Sequence, residues 1–134
     1  MSNHLKKILL ILLILLHIGC SQAPPKIGSF CQQDDILKVV QLNNEIILDC
    51  YKNELKVTPE FSGKVILNWT IGTDGKVLKA SVEQSTLKNE GVENCLVELA
   101  KKWQFVKPNG GLCHIRFPFI FNYDGEKLSD TGGG

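Results

Sequence analysis

The chain has 134 residues, 43% of them hydrophobic and 22% charged, with 15 basic side chains against 14 acidic ones. That length holds one domain and excludes a multidomain enzyme. The even charge balance leaves no net field to attract nucleic acid, so no nucleic-acid partner is expected.

The first residues read as an address. Lys6 and Lys7 precede an apolar run over 8–16, Ile18 extends it past His17, and Gly19-Cys20 closes it. The run is about half of the ~20 apolar residues that a membrane-spanning helix needs. A short apolar core behind two lysines has instead the form of a signal peptide over 1–19. One reading ends it at a generic small-residue cleavage site. The sharper reading rests on Gly19-Cys20 and the aliphatic Leu15-Leu16 upstream, which together resemble the bacterial lipobox, with His17 where leucine is usual. That resemblance implies lipid on Cys20, which becomes the first mature residue. Ser21 after it, rather than Asp, implies the outer membrane, facing the periplasm, with the cell surface as the other possibility. An anchor of two or more acyl chains is stable. Losing Lys6 and Lys7 takes the formal charge of +1 down to −1, so lipid rather than a polybasic patch is the expected membrane contact.

Residues 20–33 include Pro24, Pro25, Gly28 and Ser29 and are expected to be a lipidated tether. Fully extended, they reach roughly 45 Å. The folded domain is then expected over 34–122. Asp34-Asp35 can open a helix and suit its positive end. Apolar or small residues recur at helical spacing through Ile36, Val40, Ile47, Cys50, Tyr51 and Leu55, while Asn43-Asn44 predicts a kink or a restart. Pro59 and Gly63 end the segment.

Residues 64–71 alternate, with Val65, Leu67, Trp69 and Ile71 on one side, and predict a strand with one apolar face. Asp74-Gly75 supplies a hairpin turn. Residues 77–84 return, with Leu78, Ala80 and Val82 on one side and Val77, Lys79, Ser81 and Glu83 on the other. Asn89 can cap a second helix, whose apolar face is Val92, Cys95, Leu96, Leu99 and Trp103. Pro108, Gly110 and Gly111 break the chain. A last strand follows over 112–121, where Pro118 points to an edge or a bulge. Residues 123–134 are expected to be a disordered tail. The result is an α+β two-layer domain: a three-stranded antiparallel sheet, made of a hairpin plus a late C-terminal strand, packed with two helices.

Setting Cys20 aside leaves Cys31, Cys50, Cys95 and Cys113. An even count in a small exported domain reads as two disulfides, with three possible connectivities. No CxxC spacing exists, so no metal site is expected. No Ser-His-Asp arrangement, convergent carboxylate pair or glycine-rich phosphate loop stands out, so no catalytic residue and no cofactor are assigned. Asn68-Trp69-Thr70 has the form of a glycosylation acceptor, but it lies mid-strand. Trp69, Trp103, Phe117, Phe119 and Phe121 are expected in the core. His114 and Arg116 lie on the other side of the last strand, as partner-contact residues or simply as a solvated face.

The ordered blocks CYKNEL at 50–55, GKVILNWTI at 63–71, DGKV at 74–77, VENC at 92–95, KWQF at 102–105 and FPFIF at 117–121 resemble the AgmX/PglI C-terminal domain, a TonB-like C-terminal domain of envelope and gliding-motility proteins. The resemblance covers about residues 36–121. It implies a Cys50–Cys95 bridge between the two helices, which leaves Cys31–Cys113. The first of these would stabilise by about 4 kcal/mol in the chain-entropy model. The resemblance also implies protein–protein contact with envelope proteins in motility, transport or energy transduction, by strand addition at the 113–121 edge. Departures from TonB itself, with no spanning helix and no proline-rich rod, turn the expectation toward a passive, lipid-anchored adaptor. The alternative is a stand-alone structural or inhibitory binding module.

Overall fold

The computed structural model describes residues 3–8, 24–58 and 60–123. Most of the expected signal peptide, the lipidation position Cys20, the start of the tether, Pro59 and the tail over 124–134 lie outside the described residues. In chain order the elements are β1 (Lys26–Ile27), α1 (Gln33–Leu42), α2 (Asn44–Leu55), β2 (Gly63–Ile71), β3 (Val77–Ser85), α3 (Glu90–Ala100) and β4 (Cys113–Phe121). The four strands form one antiparallel sheet in the order β1-β4-β2-β3. The α+β class stands, with a fourth strand and a divided first helix.

The division falls at Asn43. Its backbone N–H donates to the Val39 and Val40 carbonyls, and its side-chain amide donates to Val39 O at 2.8 Å. Those bonds satisfy carbonyls that a helix end otherwise leaves open. Asn43 also precedes α2, whose Ile47 N–H donates to the Asn43 carbonyl. Asp34 and Asp35 sit in the first turn of α1 rather than at its cap, where they complement the helix dipole. Asn89 does cap α3, accepting from Val92 N at 2.9 Å.

The core lies between the sheet and the helices. β2 contributes Val65, Leu67, Trp69 and Ile71, β4 contributes Ile115, Phe117, Phe119 and Phe121, and α3 contributes Val92 and Leu96. Trp69 sits edge-on to Trp103 with centroids 5.4 Å apart, and within about 6 Å of Phe105 and Phe117. Tyr51 of α2 stacks on Phe121 at 5.0 Å and hydrogen-bonds the Phe61 carbonyl.

The return strand departs from simple alternation. β3 spends nine residues where β2 spends seven in the same pairing, and the register shifts at Ile66/Leu67 and Thr70/Ile71. Each shift is a bulge that adds one residue to β3. The bulge near Leu78 reverses the phase, so Val77 packs on the core with Ala80 and Val82 while Leu78 is 60% exposed. The hairpin turn needs positive φ only at Gly75, whose φ is 84°, and not at Asp74. A methyl group on Gly75 would also collide with the Phe105 carbonyl, because Phe105 N–H donates to Gly75 O at 2.9 Å. The segment after α3 is thereby stitched to the hairpin.

Two expected boundaries move. Lys26 pairs with Arg116 and Ile27 with Ile115, so these two residues of the expected tether belong to the sheet. Tyr123, expected in the tail, donates its N–H to Ser62 Oγ at 2.7 Å.

Candidate functional site

The helices lie over one face of the sheet. The opposite face has no described element over it, and it gathers the polar strand positions. Arg116 stands opposite Lys26 on one side and Asn68 on the other, Asn68 faces Ser81, and Thr70 is flanked by His114 and Lys79. Residues opposite each other on neighbouring strands share a face. Sheet registration therefore brings His114 and Arg116 together with Lys26 and Lys79, which sequence reasoning had not assigned. Between them lies a shallow depression of about 480 Å³.

The ordered polar contacts here are few. Arg116 Nε donates to both oxygens of Glu83, at 2.9 and 3.1 Å. Thr70 Oγ1 and His114 Nδ1 are 3.1 Å apart, at hydrogen-bonding distance. The Arg116 hydrogen bond first, and one from Asn68 second, hold the Glu83 carboxyl below its ordinary value of 4.5. A depressed folded pKa means stability that is fully present above the unfolded value and is lost as pH falls through the folded one. The Glu83 carboxyl should therefore titrate below 4.5 by NMR, and Arg116→Gln should move its midpoint up. An unmoved midpoint would remove the Arg116 contact as the cause.

The remaining cysteines pair within the fold. Cys50 of α2 is joined to Cys95 of α3 with Cα atoms 5.7 Å apart, and Cys31 is joined to Cys113 at the start of β4 with Cα atoms 6.0 Å apart. Cys50 and Cys113 are buried, whereas Cys95 reaches inward from an exposed position. These bridges tie α2 to α3 and the β1–α1 junction to β4.

The expected edge needs correction. β4 lies between β1 and β2, so β1 occupies its outer side around 115–116, and Gly28 N–H donates to His114 O at 2.9 Å just beyond. Only 117–121 is unpaired on that side among the described residues. Pro118 sits there, past the end of β1, where a residue without an N–H is tolerated. Of the two edge strands, β1 is only two residues long, and β3 is the long one with a side free of described partners along its whole length.

Among the described residues, no group of three or more His, Cys, Asp and Glu could hold a metal ion, and no helix is long and apolar enough to cross a membrane. No protein-family model, curated protein or solved structure matches the chain.

Proposed function

We propose that the chain is a lipid-anchored, non-enzymatic interaction module of a bacterial envelope complex, resembling the TonB-like AgmX/PglI C-terminal domain and binding its partners by protein–protein contact. The observation that carries this reading is the polar sheet face that no described element covers, beside the β3 side that no described strand pairs. A two-layer domain that leaves a sheet face and a long strand side open has surface for a partner strand or segment. Two disulfides in a domain this small accord with an oxidising compartment such as the periplasm. The N-terminal pattern ending at Cys20 accords with export and lipid attachment. With β4 partly covered, strand addition is assigned to β3. Its regular stretch lies between the two bulges, at 79–82.

Two measurements test this. Cells fed a radiolabelled fatty acid should label the wild type but not Cys20→Ala, and equal labelling of both would remove the anchor. A photo-crosslinker at Ser81, on the open face, should trap an envelope protein in intact cells. A crosslinker at Lys52, on the helix layer, should trap that protein less. No Ser81 adduct, or equal adducts at both positions, would count against the interaction module.

A further inference from the structure

The near-zero net charge conceals a segregation by layer. Helices α1, α2 and α3 carry eight acidic side chains and two basic ones. The four strands carry Lys26, Lys64, Lys79 and Arg116 against the single acid Glu83. Pairing puts the four cations on the uncovered face: Lys26 opposite Arg116, Lys79 opposite Thr70, and Lys64 opposite Ile120. Glu83 reaches the same face, through its contact with Arg116.

We propose that this face docks an acidic, extended segment of a partner protein, with carboxylates of that segment seated on Lys26, Arg116 and Lys79. The proposal rests on the interaction-module reading and names the chemistry of its partner. Three observations carry it.

First, the face is positive while α1, α2 and α3 are negative, so an acidic segment is drawn to this side and repelled by the helix layer. Second, the arginine already shows the chemistry: Arg116 holds the Glu83 carboxylate through two contacts, on a face where an incoming carboxylate can exchange with it. Lys26 and Lys79 form no ion pair among the described residues.

Third, the spacing fits a chain rather than a single small anion. Lys26, Arg116 and Lys79 stand on β1, β4 and β3, with β2 between the last two. Neighbouring strands are about 4.8 Å apart, so these cations spread over roughly 14 Å. One phosphate cannot touch them all. An extended segment repeats its side chains on one side about every 7 Å, and acids at alternate positions cover that span.

The probe is a fluorescein-labelled peptide of alternating Asp and Gly, ten residues long, titrated by anisotropy against the full chain in detergent. Binding should weaken with added salt as screening shortens. Lys26→Glu with Lys79→Glu should weaken it at least about tenfold, because both reversals face the seated carboxylates. Lys38→Glu with Lys52→Glu makes the same change in net charge on the helix layer and should alter it less than about twofold. All four positions are exposed, so the fold is not at stake.

The proposal is overturned if the wild type does not bind the peptide, or if both double variants lose equally. It is overturned in favour of a phosphate site if inorganic phosphate displaces the peptide as well as unlabelled peptide does, charge for charge. It is overturned in favour of a second copy if the chain self-associates through this face and excludes the peptide. Fatty-acid labelling and the Ser81 crosslink read the wider function separately, and either can succeed while the peptide fails.

Discussion

Alanine at both Cys31 and Cys113 should lower the unfolding free energy by about 4.5 kcal/mol at 25 °C, read from urea denaturation under oxidising conditions. The bridge spans 82 residues, and a crosslink of that length removes much of the freedom of the unfolded chain. Alanine at Cys50 and Cys95, which are 45 residues apart, should cost about 4 kcal/mol by the same reasoning. Either loss is comparable with the ~5–15 kcal/mol that a whole domain usually has. Cys113, the first residue of β4, and Cys50 of α2 are both buried, so alanine leaves a small cavity at each of them as well. Reduced wild type should approach the protein lacking both bridges. A cost below about 1 kcal/mol for either pair would show that its bridge does not restrict the unfolded chain as the entropy account requires.

Trp69→Ala should be the most damaging single core substitution, at about 3–5 kcal/mol. Trp69 is 1% exposed and is the hub where Trp103, Phe105 and Phe117 meet. Removing it opens a cavity that three rings, two from the segment after α3 and one from β4, cannot all collapse to fill. Trp69→Phe should cost far less, under about 1.5 kcal/mol. Phenylalanine keeps most of the ring contacts. It also removes the indole N–H, which is buried without a hydrogen-bond partner among the described residues and so already carries a desolvation penalty. Thermal and urea unfolding of the two variants test the pair. Equal costs would mean that the cavity left by the missing ring does not set the loss.

The strongly patterned elements were legible in the chain. The aliphatic and aromatic alternation of β2 and β4 reports their core faces directly, because both strands bury one side completely. Asn43 announced the helix break, since a side-chain amide can satisfy the carbonyls it interrupts. Three features escaped. β1 is two residues long, Lys26–Ile27, too short for any period to register, and it stands among prolines that read as a linker. Its position then hid the correct neighbours of β4. The phase of β3 escaped because bulges add residues without any compositional mark, so Leu78 was expected with Ala80 and Val82 and is instead exposed. In α3, Cys95 and Leu99 were expected on the buried stripe, whereas Ala100 takes the inward place after Leu96. At the open face, His114 and Arg116 were readable from alternation along one strand. Their company of Lys26, Lys79 and Glu83 was not, because it depends on pairing across four strands.

The strand order has a consequence for how the chain acquires its fold. The first strand pairs with the last, and β4 also supplies the centre of the sheet. A chain that emerges N-terminus first can form the β2–β3 hairpin and dock α3 early, since those contacts are local. It cannot complete the sheet, or place Cys31 beside Cys113, until residue 116 has arrived. Closing the longer loop costs only about 0.5 kcal/mol more than closing the shorter one. Topology, rather than loop length, therefore sets the order of oxidation, with Cys50–Cys95 first and Cys31–Cys113 as the final latch. Such non-local closure makes the last step the slow one. Until it occurs, the β4 side of β2 is unpaired and the aromatic core is open to water. The window between synthesis and that last pairing is when the protein is most exposed to proteases and to misassembly.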